Sequence, residues 1–296
     1  MPHPFDPGYI AEPFLTLCAE YPDANVYPPD QFRLEWGPIF HRGRLDGSAR
    51  VLVIGQDPAQ HETVVRRILV GEAGRRVQGL LAKLGITHSY VFINTYVYSV
   101  YGSVKTKTRK DPNLVDYRNR WLNALLVESS VAAVVALGQA ADTAWQFWKA
   151  TPEGQSTDVA YRAVTHPTQP ESSSEGDKVK LAAATKKLLR NWNAALQILS
   201  PQVQHPDVPT PLVFYGESWV EGDRVGSVFF GSRTLREELS KPESMLESWF
   251  SWISSSSIWS GVCSAAFARP ASAPAARPAP SSSSLRRVTG FVMRGL

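Results

Sequence analysis

The chain has 296 residues, of which 43% are hydrophobic and 20% charged, with a formal net charge of +4; its mean hydropathy is −0.19 and its isoelectric point is near 9.0. This is the composition of a globular chain with one generous domain or two small ones. No stretch reaches the roughly 18 consecutive apolar residues of a spanning helix, and Pro2, Pro4, Pro7, Pro13, Pro22, Pro28 and Pro29 interrupt the start, so neither a membrane segment nor a secretory leader is expected.

Cys18 and Cys263 stand alone, without the spacing of a disulfide framework, a zinc site or an iron–sulfur cluster. The expectation is a cytoplasmic, reducing compartment, no metal and no cofactor. The mild positive charge permits a polyanionic partner without requiring one. Lys105, Lys107, Arg109, Lys110, Arg118 and Arg120 crowd one stretch, and Arg66, Arg67, Arg75 and Arg76 a second. On charge alone, a solvated face is an equally good reading of either.

In chain order, residues 1–50 are Pro-rich and aromatic, with Phe32, Trp36 and Phe40 four apart, and read as an N-terminal wrap of the domain that follows. Residues 51–199 alternate short apolar runs with longer amphipathic segments. Strands are expected at 51–55, 90–94, 131–137 and 161–165. Helices are expected at 64–84 (interrupted at Gly71 and Gly74), 114–129, 139–148 and 177–199. That order predicts an α/β fold, a three-layer α/β/α sandwich with a four-stranded parallel sheet. Residues 200–250 form a C-terminal extension in which 213–216 and 227–230 could pair as a ribbon. Residues 251–296 are a Ser/Ala/Pro-rich tail expected to be disordered, preceded and overlapped by a helically spaced apolar segment from Met245 to Ile253.

In an open α/β sheet the ligand crevice lies beyond the carboxyl ends of the strands. There stand Gly55-Gln56-Asp57-Pro58-Ala59, Asn94-Thr95-Tyr96, Gly138-Gln139-Ala140-Ala141 and His166-Pro167-Thr168-Gln169-Pro170. A Gly-x-Asp-Pro is often only a turn, and a lone histidine is more often structural. Here an Asp, an Asn and a His fall at three strand ends of one sheet, where packing alone has no use for them. Helix starts at Gly138 and near Asp177 would aim backbone amides at phosphate.

With those residues in place, the chain resembles the uracil-DNA glycosylase superfamily. Gly55 to Ala59 matches four of the five positions of the family's Gly-Gln-Asp-Pro-Tyr motif. Asn94 looks like its base-reading asparagine, and His166-Pro167-Thr168 is similar to the start of its second motif. The contexts around Leu84-Gly85-Ile86 and Ala136-Leu137-Gly138 look more like the iron–sulfur branch, whose four cysteines this chain lacks. The resemblance implies excision of uracil from DNA by a monofunctional hydrolase, initiating base-excision repair, with Asp57 and His166 catalytic. Gln56, Ala59, Leu69 and Asn94 would contact the substrate. Gln139, Thr168, Lys105, Lys107 and Arg109 are the candidate DNA grips.

Three departures adjust this. Ala59 replaces the tyrosine that excludes a 5-methyl group, which predicts acceptance of 5-substituted uracils and other deaminated bases such as xanthine, unless Gln60, His61, Tyr96 or Tyr98 refills the space. Leu69 stands where the family stacks a phenylalanine on the base. Gln169 to Ser174, read as an acidic Ser-rich loop, holds no leucine to wedge into a duplex, so single-stranded DNA should be favoured. The alternatives are a nucleoside hydrolase or deoxyribosyltransferase, and a non-catalytic binder of damaged strands.

Overall fold

The computed structural model describes residues 8–225. Its strands are β1 (Phe32–Arg33), β2 (His41–Gly43), β3 (Val51–Gly55), β4 (Tyr90–Asn94), β5 (Ser99–Val100), β6 (Ala133–Leu137) and β7 (Ala160–Val164). Its helices are α1 (Phe14–Ala19), α2 (Gln60–Val65), α3 (Glu72–Lys83), α4 (Thr106–Arg109), α5 (Pro112–Leu126), α6 (Gly138–Lys149), α7 (Pro152–Ser156), α8 (Gln169–Ser174) and α9 (Lys178–Leu199). The main sheet runs in the order β2-β4-β3-β6-β7, and β1 pairs with β5 in a separate ribbon.

The four expected parallel strands are present, and β2 extends the sheet to five by pairing antiparallel with β4, His41 opposite Ile93. Its three residues, His-Arg-Gly, carry no alternation of apolar and polar side chains and held no signal. Short polar strands of this kind suit a sheet edge, where a longer apolar one would invite further pairing.

Every residue of β3 and β6 is buried, because helices cover both faces. Leu52 and Ile54 turn toward Trp121, Trp145 and Trp148 of α5 and α6. Val51 and Val53 turn toward Leu80, Leu189 and Trp192 of α3 and α9. Each such side chain contributes about 1.5–3 kcal/mol by leaving water. The helix starts are set locally: Asp111 accepts the N–H groups of Asn113 and Leu114, and Asp177 those of Val179 and Lys180.

The helical spacing over 64–84 resolves into two helices, since Arg66 ends α2 at φ 57°. Its guanidinium holds that conformation by donating to the carbonyls of Trp36 and Pro38. The four-residue spacing of Phe32, Trp36 and Phe40 is not helical either. Phe32 and Phe40 are buried from β1 and from the turn before β2, and Trp36 closes a single 3-10 turn (Leu34–Trp36).

Residues 213–216 form no strand. The backbone of Tyr215 is satisfied instead by Asn193, whose amide donates to the Tyr215 carbonyl at 2.9 Å and whose oxygen accepts the Tyr215 N–H at 2.8 Å. The other half of the expected ribbon at 227–230, the apolar segment at 245–253 and the tail with Cys263 lie outside the described residues.

Asp207 fastens this returning segment, accepting the N–H groups of Thr87, His88 and Ser89 at 2.7–2.9 Å and the Ser89 hydroxyl. Burial pushes its carboxyl up, but the Ser89 hydroxyl and the three amides prevail and hold it at about 2. A depressed carboxyl contributes stability that is complete above its ordinary value of 3.8 and is lost as pH falls toward 2. Asp207→Ala should therefore cost about 2 kcal/mol in urea unfolding at neutral pH, with the deficit shrinking toward pH 2. A pH-independent deficit would contradict this assignment.

Candidate active site

Ile54 pairs with Ile93 on one side and with Ala136 on the other, and Ala136 pairs with Ala163. The four parallel strands thus stop at one level, and the polar segments that follow them leave the sheet along a single edge. The sequence-predicted residues Asp57, Asn94, Gln139 and His166 all lie on that edge.

The segment after β3 is tied to the segment after β4. The Thr95 N–H and hydroxyl donate to the Gly55 carbonyl at 2.9 and 2.8 Å, and the Tyr96 N–H donates to the Gln56 carbonyl at 2.9 Å. Asp57 Oδ2 accepts the Val100 N–H at 3.0 Å, and Oδ1 accepts the Gln56 side-chain amide at 3.1 Å. Burial raises the Asp57 carboxyl, opposed by the Val100 amide, by Gln56 and by the positive charge of Arg33. Gln56 thus reaches the carboxylate with its side chain as well as supporting the turn with its backbone.

Asn94 is 1% exposed. Its amide nitrogen points to the Ile39 carbonyl at 3.4 Å, and its oxygen lies so close over Gly55 that a Cβ there would approach to 2.5 Å. Glycine is required at 55 by this contact and not by its φ.

His166 Nδ1 faces the Thr168 N–H at 3.4 Å and the Thr168 hydroxyl at 3.1 Å. As an acceptor from that N–H, Nδ1 carries no proton in the neutral ring, which leaves the proton on Nε2. Burial lowers the pKa of this imidazole, and the positive end of α6 disfavours its protonation further. Gly138 opens α6 at φ +82°, where a side chain would be strained and its Cβ would lie 3.2 Å from His166 Cβ. No side chain caps the first turn of α6, so its amides open beside His166.

Several expected grips are placed differently. Thr168 is engaged with His166. Asp177 satisfies the first amides of its own helix, so the start of α9 offers none to phosphate. Lys105 pairs with Asp30 at 2.6 Å, and Arg109 donates to the Val104 carbonyl at 2.8 Å. Lys107 and Gln139 are exposed. Arg118, read in sequence as part of a basic face, is 3% exposed beside Tyr27 and Tyr96.

Of the second basic cluster, Arg66 and Arg67 are exposed and Arg75 is half-buried, but Arg76 is not on the surface. Arg76 is 4% exposed and donates to the Pro167 carbonyl, to both Glu171 oxygens at 3.1 and 2.7 Å and to Glu72 at 3.2 Å. It thereby fixes the segment carrying His166. Residues 169–174 are the short helix α8 and not a loop, with Pro170 in its first turn, where a missing N–H costs nothing.

Sequence reading missed a further anchor. Glu62 is buried, and its carboxylate accepts the Ala59 N–H at 2.7 Å and the Leu69 N–H. Burial pushes it up to about 7 against those amides, and the neighbouring Asp57 charge adds to the rise. Glu62 reaches back to the Ala59 N–H from three residues on, but alanine supplies no side-chain acceptor, so the sequence shows no capping-box signal for it. Leu69, whose carbonyl accepts from Arg42 at 2.9 Å, is locked at φ 55° and offers no ring. Tyr98 does not refill the space at Ala59, since its hydroxyl donates to the Pro22 carbonyl at 3.0 Å.

A carboxylate, a carboxamide and an imidazole holding its proton at Nε2, aligned along one sheet edge, can together stabilise a cation and an anion as a bond between them breaks. This is the equipment of a hydrolase that parts a base from its sugar. The family model described as the uracil DNA glycosylase superfamily matches residues 42–203, more than half of the 296, and the chain belongs to that superfamily. Membership implies DNA as the substrate and a glycosylase-type role in its repair. A search of curated proteins finds no match. No helix among the described residues is long and apolar enough to cross a membrane.

Arg76→Met removes three hydrogen bonds to Pro167 and Glu171 and one to Glu72, and should cost about 2 kcal/mol, since Glu171 is half exposed and keeps its hydration. The variant should exchange its amide hydrogens faster over residues 166–174 than the wild type, while β3 keeps its protection. Equal protection of residues 166–174 in the two proteins would show that Arg76 does not hold this segment.

Proposed function

We propose that the protein is a monofunctional glycosylase that hydrolyses the N-glycosidic bond of uracil, and of 5-substituted uracils or other deaminated bases such as xanthine, in single-stranded DNA. The observation that carries this reading is the placement of Asp57 and His166 at the same edge of the sheet as Asn94. As the bond lengthens, the sugar gains positive charge and the base negative charge. Asp57, kept ionised by the Val100 amide and Gln56, faces the sugar cation and orients the attacking water. His166 donates from Nε2 to uracil O2, where the negative charge gathers. Asn94 reads the N3–H and O4 edge and rejects cytosine, whose pattern of donors and acceptors is inverted there.

Water attacks the sugar carbon, the base departs with the bonding electrons, and its nitrogen is later protonated from solvent. On this reading no lysine has a Schiff-base role, so the expected product is an intact abasic strand. Ala59 carries no ring to exclude a 5-substituent, and Tyr98 is tied to the Pro22 carbonyl. Preference for single strands follows from α8, whose exposed residues are Gln169, Glu171, Ser172 and Ser173 and cannot fill the hole left in a duplex.

Alkali-revealed strand breaks in a uracil-containing single-stranded oligonucleotide test the assignment. Asp57→Asn and His166→Ala should each lower the rate by about 10²-fold or more. Strand breakage without alkali would contradict monofunctional chemistry, and retention of the oligonucleotide without base release would make the protein a binder. Ala59→Tyr should lose about tenfold or more on 5-hydroxymethyluracil while keeping uracil, and equal losses on both bases would remove the case for a widened pocket.

The pH profile follows from the two shifts. Asp57 titrates above its ordinary 3.8 and His166 below its ordinary 6.5. Since Asp57 must be charged and His166 neutral, kcat/KM should stay level from neutral pH through 6.5 and fall on an acid limb between 6.5 and 3.8. An acid limb beginning above 6.5 would contradict a buried neutral His166.

A further inference from the structure

Beside Asp57 lies a feature that the glycosidic step does not use. The guanidinium carbon of Arg33 sits 4.0 Å from the centre of the Tyr101 ring and 4.8 Å from that of Trp36. Arg33 Nη1 donates to the Val100 carbonyl at 2.8 Å, and the N–H of the same Val100 holds Asp57 at 3.0 Å. One residue of β5 therefore separates the cation–aromatic stack from the carboxylate. The stack is also rigidly built: β1 carries Arg33, β5 precedes Tyr101, and Phe32 pairs with Val100 and Arg33 with Ser99. Tyr101 remains 41% exposed, its hydroxyl donating to Glu35 at 3.0 Å.

We propose that Trp36, Arg33 and Tyr101 form a stacking clamp for the nucleotide next to the one held at Asp57, and that this clamp is what recognises single-stranded DNA. The inference rests on the single-strand reading above and gives it a positive determinant in place of a missing wedge.

Three observations support it. An unpaired base presents a π-face that an exposed aromatic ring can cover, whereas in a duplex that face is already stacked. The chain following Tyr101 runs directly into Lys105, Lys107, Arg109 and Lys110, so a strand whose base rests on Tyr101 has cationic side chains near its phosphates. Glu35 and Asp30 offset part of that charge, which makes stacking, and not charge alone, the expected main contribution. Arg33 bears on no acidic partner other than the nearby Asp57 charge among the described residues, and its flat guanidinium adds a cation–π surface to the two rings.

The test measures binding of a uracil-free single-stranded oligothymidylate by fluorescence anisotropy for the full chain and for Tyr101→Ala, Trp36→Ala and Tyr101→Phe, with thermal unfolding of each as a check on folding. Tyr101→Ala and Trp36→Ala should bind about 5- to 100-fold more weakly, and Tyr101→Phe, which keeps the ring, within about threefold of wild type. The dependence of affinity on salt should be unchanged in Tyr101→Ala, since no charge is removed, and the loss should be smaller on a duplex of the same length.

Binding by Tyr101→Ala and Trp36→Ala that matches the wild type, or an equal loss in Tyr101→Phe and Tyr101→Ala, would overturn the clamp. So would a wild type that fails to bind the single strand at all. Base release is read separately: weak binding by the alanine variants together with no release of uracil by any form would leave the clamp standing and remove the glycosylase.

Discussion

A carboxylate half withdrawn from water keeps its charge only if something fixed and polar replaces the lost hydration. For Asp57 that replacement is the Val100 N–H at 3.0 Å, supported by a side chain from the adjacent Gln56 and the charge of Arg33. The Val100 amide is not part of the main sheet. It belongs to the ribbon of β1 and β5, and β1 comes from the N-terminal wrap. The wrap is held down in turn by Tyr27, Phe32 and Phe40, all buried in the core beneath α5 and α6. The state of one carboxylate thus depends on some forty residues that precede the first parallel strand and contribute no reacting group.

The same economy governs the loops around it. Glu62 and Arg76 are both buried ionisable side chains, and each satisfies backbone groups of a segment that has no regular partner. Glu62 collects the amides of Ala59 and Leu69. Arg76 binds the Pro167 carbonyl and clamps α8 through Glu171. Burying such groups is unfavourable unless every polar atom finds a partner. Their retention beside the polar strand ends is intelligible as the cost of holding irregular backbone still, and rigid irregular backbone is what a preorganised site is made of.

How much of this could be read from the sequence depends on the range over which the interactions act. Strands β3 and β4 were legible to the residue, because continuous apolar runs bounded by Arg50 and Gly55, and by Ser89 and Asn94, leave few alternatives. The position of Asp57, Asn94 and His166 beyond three strand ends was readable because those apolar runs are bounded by polar residues; the roles proposed for them are a separate matter. Strand β2 was not, since His-Arg-Gly has no pattern and is a strand only through β4. The segment 169–174 reads as a loop by composition, yet Pro170 in a first turn and the grip of Arg76 on Glu171 make it helical. Arg33, Glu62 and Arg76 act across 67, 7 and 91 residues of chain respectively, and such partners leave no local trace. The basic clusters misled for the same reason: Arg66, Arg76 and Arg118 look like surface in a linear count and are consumed by carbonyls, carboxylates and burial.

These placements bear on how a strand would be engaged. A duplex-acting enzyme has to replace the contacts of the base it extrudes, and an apolar wedge does so efficiently. The helix α8 presents amide, hydroxyl and carboxylate groups at that point, and its one arginine contact draws Glu171 inward toward Arg76. Aromatic surface appears instead beside Asp57, on Trp36 and Tyr101, where it would meet a base that is already unstacked. On the proposed reading, energy that a duplex enzyme spends on opening the helix is not needed here. Discrimination can then rest on whether the neighbouring base is free to lie on a ring, which makes the structural state of the DNA, as much as the damaged base, part of what the site reads.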